Sequence, residues 1–276
     1  MSSTNQSNET LIRFHDVALG YGDFTVLKHI NIEAKRGQVI AMMGGSGSGK
    51  TTLLRGATAQ IFAQAGQIYV FDQDLGRCSP TEIEQLRKRM GVLFQQGALF
   101  TDLNVFDNVA FPLREHAKLS NAEITRIVLE KLDAVGLRAA AHLKINEISG
   151  GMARRVALAR AIVLEPELIF YDEPFAGLDP ISLGITAQLI RDLSDQLNCA
   201  SIIITHDVPE SFKIADYVYI VGQGKMITQG TPAELQEAAD EYVQQFLHGL
   251  PDGPIAFHYP TTPAFEAWLE KNSKHS

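Results

Sequence analysis

The stretch Val39-Ile40-Ala41-Met42-Met43-Gly44-Gly45-Ser46-Gly47-Ser48-Gly49-Lys50-Thr51-Thr52-Leu53-Leu54-Arg55 decides the fold. It opens as a continuous apolar run, the pattern of a strand buried on both faces. A glycine cluster follows, and Leu53-Leu54-Arg55 can continue a helix. Residues 44–51 fit G-x-x-x-x-G-K-[ST] in the strand, loop, helix context that the motif needs. Glycines let the backbone curl until successive N–H groups point inward, and the helix N-terminus adds partial positive charge. Gly44, Gly45, Ser46, Gly47, Ser48 and Gly49 would form the anion cradle, with Thr52 beside it. Lys50 would reach the β- and γ-phosphates of a bound nucleotide, and the Thr51 hydroxyl would ligate Mg²⁺.

Working outward, the next apolar run is Leu168-Ile169-Phe170-Tyr171, ended by Asp172-Glu173. Open α/β sheets place ligands at the carboxyl ends of their strands, where these two carboxylates fall. Asp172 suits a Mg²⁺ contact, and Glu173 suits a base that polarises water for in-line attack on the γ-phosphate. Ser201-Ile202-Ile203-Ile204 is a further buried-strand pattern, and His206 follows it toward the same sheet edge as a γ-phosphate contact. Gln95 follows Val92-Leu93-Phe94 in the same manner. Its amide could touch Mg²⁺ or the attacking water. Between the two halves of this α/β pattern, residues 101–146 read as helices. Ile124, Ile127, Val128, Leu129, Leu132 and Val135 recur at helical spacing behind a Ser120 cap.

The chain's 276 residues can bury a sizeable core, and its 32 acidic against 24 basic residues give a formal net charge of −8. Such a surface repels a phosphate backbone, which argues against nucleic acid as a partner. Arg87-Lys88-Arg89 and Arg154-Arg155 are short charge runs of the kind that usually form solvated helix faces. Two cysteines, Cys78 and Cys199, are too few for a disulfide framework and fit a reducing cytoplasm. No window approaches the roughly 18 consecutive apolar residues of a membrane span, so a membrane role is expected to come through partners. Residues 1–10 are polar and read as a flexible N-terminus. After Gln245, Pro251, Pro254, Pro260 and Pro263 alternate with aromatic residues, so no regular helix is expected before about Thr262.

A phosphate-binding loop alone fits kinases, GTPases and helicases. The feature that narrows the field is Ile148-Ser149-Gly150-Gly151-Met152, standing ahead of the helical stretch from Ala153 to Ala161. Physically it is a second anion site, with Ser149, Gly150 and Gly151 presenting N–H groups at a helix N-terminus. This pattern resembles the ABC signature, and the rest of the ABC order is present over roughly residues 11–237. The resemblance implies an α/β P-loop NTPase core with an N-terminal antiparallel β subdomain and an inserted helical lobe at about 96–160, the whole domain covering 11–245. It also implies ATP and Mg²⁺ as cofactors, with Tyr21 stacking on adenine, Gln95 in the Q-loop, Asp179 in the D-loop and His206 as the switch histidine. Two copies would pair head to tail, each nucleotide held between one copy's P-loop and the other's signature. Ile148 and Met152 depart from the family's commonest Leu and Gln, and Ala176-Gly177-Leu178 from its Ser-Ala-Leu.

Within that family the chain is most similar to the ATPase subunit of Mla-type phospholipid transporters. The segments carrying this resemblance are 87–116 (RKRMGVLFQQGALFTDLNVFDNVAFPLREH), 148–155 and 252–260. It implies a cytoplasmic dimer on the inner membrane beneath permease subunits, with a small STAS-domain regulatory subunit and an MCE-type lipid-binding subunit. An importer of small polar solutes such as amino acids shares every ATP-site residue and differs only in these segments. ABC proteins that clamp DNA or the ribosome usually carry two cassettes or a long coiled-coil insertion, and this chain has neither. Gly97-Ala98-Leu99-Phe100 and Val105-Phe106 are expected to offer apolar anchors to a permease helix, with Phe106→Asp disrupting docking but sparing the fold. The tail, 246–276, is expected to dock on the dimer mate or the regulator.

Overall fold

A computed structural model describes residues 9–255 and 261–273. The expected flexible start lies outside these up to residue 8, and Thr10 already pairs with Lys35 in the first hairpin. The chain divides into two compact units, Met1–Leu235 and Gln236–Ser276.

Two sheets build the first unit. The antiparallel sheet has the order β2-β1-β4-β5, from β1 (Thr10–Tyr21), β2 (Phe24–Lys35), β4 (Ala65–Val70) and β5 (Gln73–Asp74). The second sheet has the order β10-β9-β3-β8-β7-β6. Its members are β3 (Val39–Met43), β6 (Met90–Leu93), β7 (Leu168–Asp172), β8 (Ala200–Thr205), β9 (Tyr217–Gly222) and β10 (Lys225–Gly230). All neighbours in it are parallel except β9 and β10.

Strand alternation assigns the side chains of this sheet to two separate cores. Ile40, Met42, Leu168, Phe170, Ile202 and Ile204 join the side shared with the antiparallel sheet and α1 (Lys50–Ala57). Val39, Ile169, Tyr171 and Ile203 join the opposite side, with the helices α3 (Val105–His116), α4 (Asn121–Ala134), α5 (Gly150–Ile162) and α6 (Pro180–Leu197). Both faces are covered, which explains why these strands read as continuous apolar runs rather than alternating ones. Ser120 caps α4 in a full capping box with Glu123, as its position before the helical repeat suggests.

Parallel pairing brings the strand ends to one edge. Met43 stands opposite Thr205, Ile204 opposite Asp172, and Tyr171 opposite Leu93. The residues that follow these ends, Gly44, His206, Glu173 and Phe94-Gln95, therefore emerge together. Among the described residues no helix is long and apolar enough to cross a membrane. In the second unit, α9 (Glu241–His248) and α10 (Pro263–Asn272, capped by Thr262) flank the proline-rich stretch, of which 256–260 lie outside the described residues.

Candidate functional site

The loop between β3 and α1 has the backbone its glycines require. Gly44 has φ 154°, and a Cβ there would lie 2.2 Å from the Val221 carbonyl oxygen, so any side chain would push the loop off the sheet. Gly49, which starts α1, has φ 103°. Lys50 is buried at the head of the helix, and its Nζ donates to the Gly44 and Gly45 carbonyls at 2.6 and 2.9 Å. Burial pushes its ammonium below the ordinary lysine value, while Glu173 and Asp172 act in the opposite direction. Ser48 Oγ is buried and has no hydrogen-bond partner among the described residues. Thr51 is exposed at the start of α1, and Thr52 beside it is buried.

Asp172 and Glu173 close β7. Burial, and then the neighbouring Glu173, push the Asp172 carboxyl above its ordinary range, with Lys50 pulling it down. Glu173 adopts φ 47°, an uncommon left-handed conformation for a residue with a side chain. Its amide donates to the Ile204 carbonyl at 2.8 Å, one carboxylate oxygen lies 3.0 Å from His206 Nδ1, and Oε2 is buried without a partner. Among the described residues Ser48 Oγ and Glu173 Oε2 are thus desolvated polar atoms without a partner; a phosphate oxygen would accept from the first and a water held at the phosphate and metal would donate to the second, so the set fits nucleotide and Mg²⁺.

Tyr21, at the end of β1, is exposed. Its hydroxyl accepts from Arg55 Nη1 at 2.9 Å, and hydrogen bonding to Thr52, with help from Arg55, holds its phenol below the ordinary value. Its hydroxyl end is tied to the helix that carries the phosphate loop, in a position to place the exposed ring against a base. Gln95 is exposed in the turn after β6, and among the described residues no hydrogen bond ties it to the carboxylates.

Ser149 caps α5, accepting from the Met152 amide at 3.2 Å, with Gly150 exposed beside it and Gly151 partly so. This helix N-terminus is exposed at Ser149 and Gly150. Asp179 caps α6 by accepting from the Ile181 and Ser182 amides, and the Ser182 bonds hold its carboxyl below the usual range.

The basic runs are tied to the protein by hydrogen bonds, although Arg87 stays exposed. Arg87 donates to the Thr58 and Ala59 carbonyls, Arg89 pairs with Glu167 and lies 3.7 Å above the Phe71 ring, and Arg155 donates to the Val135 carbonyl. Arg154 donates to the Glu173 carbonyl at 2.8 Å and the Ala176 carbonyl at 2.9 Å. Arg160, further along α5, donates to the Gly97 and Ala98 carbonyls in the turn after Gln95. Sequence reasoning missed these contacts because a charge run does not reveal which distant carbonyls it will face.

Residues 27–176 match the ABC transporter family. The chain belongs to the ABC transporter family. It is 51% identical over 253 residues to the intermembrane phospholipid transport system ATP-binding protein MlaF of Haemophilus influenzae, covering 92% of this chain and 96% of that one. Among solved ABC structures, cbiO1 from Clostridium perfringens, part of the cbiONQ complex, superposes with a TM-score of 0.79 at 30% identity, over 87% of this chain and 96% of that one. The ATP-binding cassette MJ0796, in a dimeric post-hydrolysis state bound to ADP and Pi, gives a TM-score of 0.73 at 27% identity, over 80% of this chain and 98% of that one. The chain is an ABC ATPase, and its α/β core with a separate antiparallel sheet is the fold of these cassettes.

Proposed function

We propose that this ABC ATPase energises phospholipid transport between the inner and outer membranes, as one half of a homodimer on the cytoplasmic face of the inner membrane. The observation that carries the lipid assignment is the 51% identity to the Haemophilus influenzae protein across 96% of that protein's length. The site-level support for a dimer is that the phosphate loop and the α5 N-terminus are two separate anion sites on one chain. A nucleotide held at the first needs the second from another copy, and identical copies make identical sites.

In this reading the cradle from Gly44 to Gly49 binds the β- and γ-phosphates through backbone amides, and Lys50 exchanges its loop carbonyls for phosphate oxygens. Tyr21 stacks on the base. Thr51 and Asp172, with Gln95, would hold Mg²⁺, which neutralises charge on the phosphates during transfer. Glu173 accepts the proton of the attacking water, and His206 holds Glu173 and contacts the γ-phosphate. The partner copy's Ser149, Gly150 and Gly151 close the site from the other side.

The permease contact is assigned to a groove of about 510 Å³ lined by Phe94, Ala98, Phe100, Phe111, Pro112 and Arg160. Phe94, Phe100 and Phe111 are exposed, whereas Val105 is fully buried and Phe106 packs against the lobe core, so of the expected anchors Ala98 and Phe100 line the groove and Val105 and Phe106 do not. A STAS-domain regulator, an MCE-type lipid-binding subunit, and docking of the 246–276 tail on the mate or regulator complete the proposal. Affinity purification from native membrane tests it: a lipid-binding subunit and bound phospholipid should co-purify. Amino-acid-binding partners in their place would overturn the lipid assignment. Deleting the residues after Gly249 should weaken dimerisation or regulation, and an unchanged, normally regulated dimer would reject the tail assignment.

A further inference from the structure

Helix α5 begins at the second anion site, yet its side chains reach into the chain's own first site. Arg154 spreads its guanidinium across two backbone carbonyls of the loop after β7, Glu173 at 2.8 Å and Ala176 at 2.9 Å. That loop needs holding, because Glu173, which carries a side chain, sits at φ 47°. A left-handed residue with a side chain costs roughly 1 kcal/mol or more and persists only where its surroundings impose it. The planar fork of arginine donates to both carbonyls in one fixed geometry.

A second contact lies at the other end of the same segment. A Cβ on Gly151 would approach Ser182 Oγ to 3.2 Å, so the signature glycine packs closely on the first turn of α6, which Asp179 caps. Helix α5 therefore holds the start of the segment from Glu173 to Ser182 through Arg154 and lies close beside its end at Ser182, while its own N-terminus is exposed. Burial also holds the Arg154 guanidinium below the ordinary arginine value, in keeping with donors turned to the protein rather than water.

We propose that Arg154 is a positioning residue for Glu173, through which the nucleotide docked on a subunit's α5 sets the catalytic carboxylate of that subunit's own site. This rests on the sandwich dimer and on Glu173 as base. An anion seating on Ser149, Gly150 and Gly151 moves α5 as a rigid rod, and Arg154 carries the movement to the Glu173 backbone. Misplacing a reacting group by about 1 Å costs on the order of 100-fold in rate, so a small shift suffices to switch the site. Each nucleotide thereby licenses hydrolysis of the other, and the coupling is reciprocal.

The test uses the full-length chain with R154M, R154K and E173Q, alone and combined, measuring kcat, KM, Hill coefficient, ATP affinity and thermal unfolding. R154M should lower kcat by about 30-fold or more and bring the Hill coefficient toward one. ATP affinity should stay within about twofold and Tm within about 2 °C of the parent. R154K should recover part of kcat. In single-turnover assays R154M should add little to E173Q, because both act on one carboxylate. R154M that keeps the parent kcat and Hill coefficient while E173Q is inactive overturns the positioning role alone. So does a parallel loss of Tm and ATP affinity, which marks a structural role, or a full multiplicative effect on top of E173Q. E173Q that hydrolyses ATP at the parent rate overturns the base assignment, and the inference with it.

Discussion

His206 Nδ1 lies 3.0 Å from Glu173 Oε1, joining the residues that follow two adjacent parallel strands. The imidazole is largely exposed while the carboxylate is mostly buried, so the pair spans the boundary between the sheet edge and the space above it. Glu173 is thus held from two sides, at its backbone by Arg154 and at its carboxylate by His206. Glu173→Gln should reduce kcat by about 100-fold or more while ATP still binds, and His206→Ala should also reduce kcat, by about tenfold or more. Steady-state hydrolysis alongside equilibrium nucleotide binding checks both. Loss of binding in step with kcat would show that the pair holds the nucleotide rather than the water.

Asp172 contributes to stability with a sign opposite to its functional value. Its folded-state pKa is raised above the ordinary aspartate value of 3.8, first by burial and then by Glu173. A raised carboxylate stabilises the fold fully only below the unfolded value, and that contribution is lost as pH rises through the folded one. At neutral pH the ionised side chain is therefore a cost. Asp172→Asn should raise the Tm of the nucleotide-free protein on the order of 2 °C at pH 7, with the gain shrinking as pH falls toward 3.8. The same variant should lose the extra stabilisation that Mg²⁺ adds to bound ATP. Thermal melts across a pH series decide it, and a lower Tm at pH 7 would refute the assignment.

Gly44→Ala tests the cradle without touching a charge. The added methyl meets the Val221 carbonyl oxygen at 2.2 Å, and backbone cannot yield as a flexible side chain would. We expect a loss of about 1–3 kcal/mol in stability or in ATP affinity, as the loop shifts to escape the clash. Calorimetric titration with ATP and a denaturant melt together capture the sum. Parent-like values in both would mean that the loop relaxes freely.

Phe111→Asp addresses the groove. The Phe111 ring lies 4.8 Å from that of Phe100, at an exposed position on α3. A charge there should leave ATP binding by the isolated chain unchanged and abolish co-purification with membrane subunits. Phe106→Asp should instead lower Tm, because Phe106 packs against the buried lobe core. Finding the reverse pattern would return the docking surface to Phe106.

The nucleotide site was legible because its parts sit at the ends of apolar runs, where pattern and motif reinforce each other. Lys50, Glu173 and His206 each follow a strand whose continuous hydrophobicity already marks it as buried. The partners of these residues were less legible. Arg154 and Arg160 face carbonyls from loops far away in sequence, and charge alone does not separate such arginines from a solvated face. The helical lobe was similar: spacing located α4 and its Ser120 cap, but did not show that Phe106 points into the core and Phe111 into a groove.

Lys50 already donates to the Gly44 and Gly45 carbonyls of its own loop. An arriving polyphosphate would therefore not meet a bare cation; it would displace two neutral carbonyl acceptors. Capture becomes a trade, in which the gain is the difference between charged phosphate oxygens and the carbonyls given up. Letting go is correspondingly easy, since the lysine has a resting place to return to. For a motor that must discard spent fuel on every cycle, that balance favours turnover over grip.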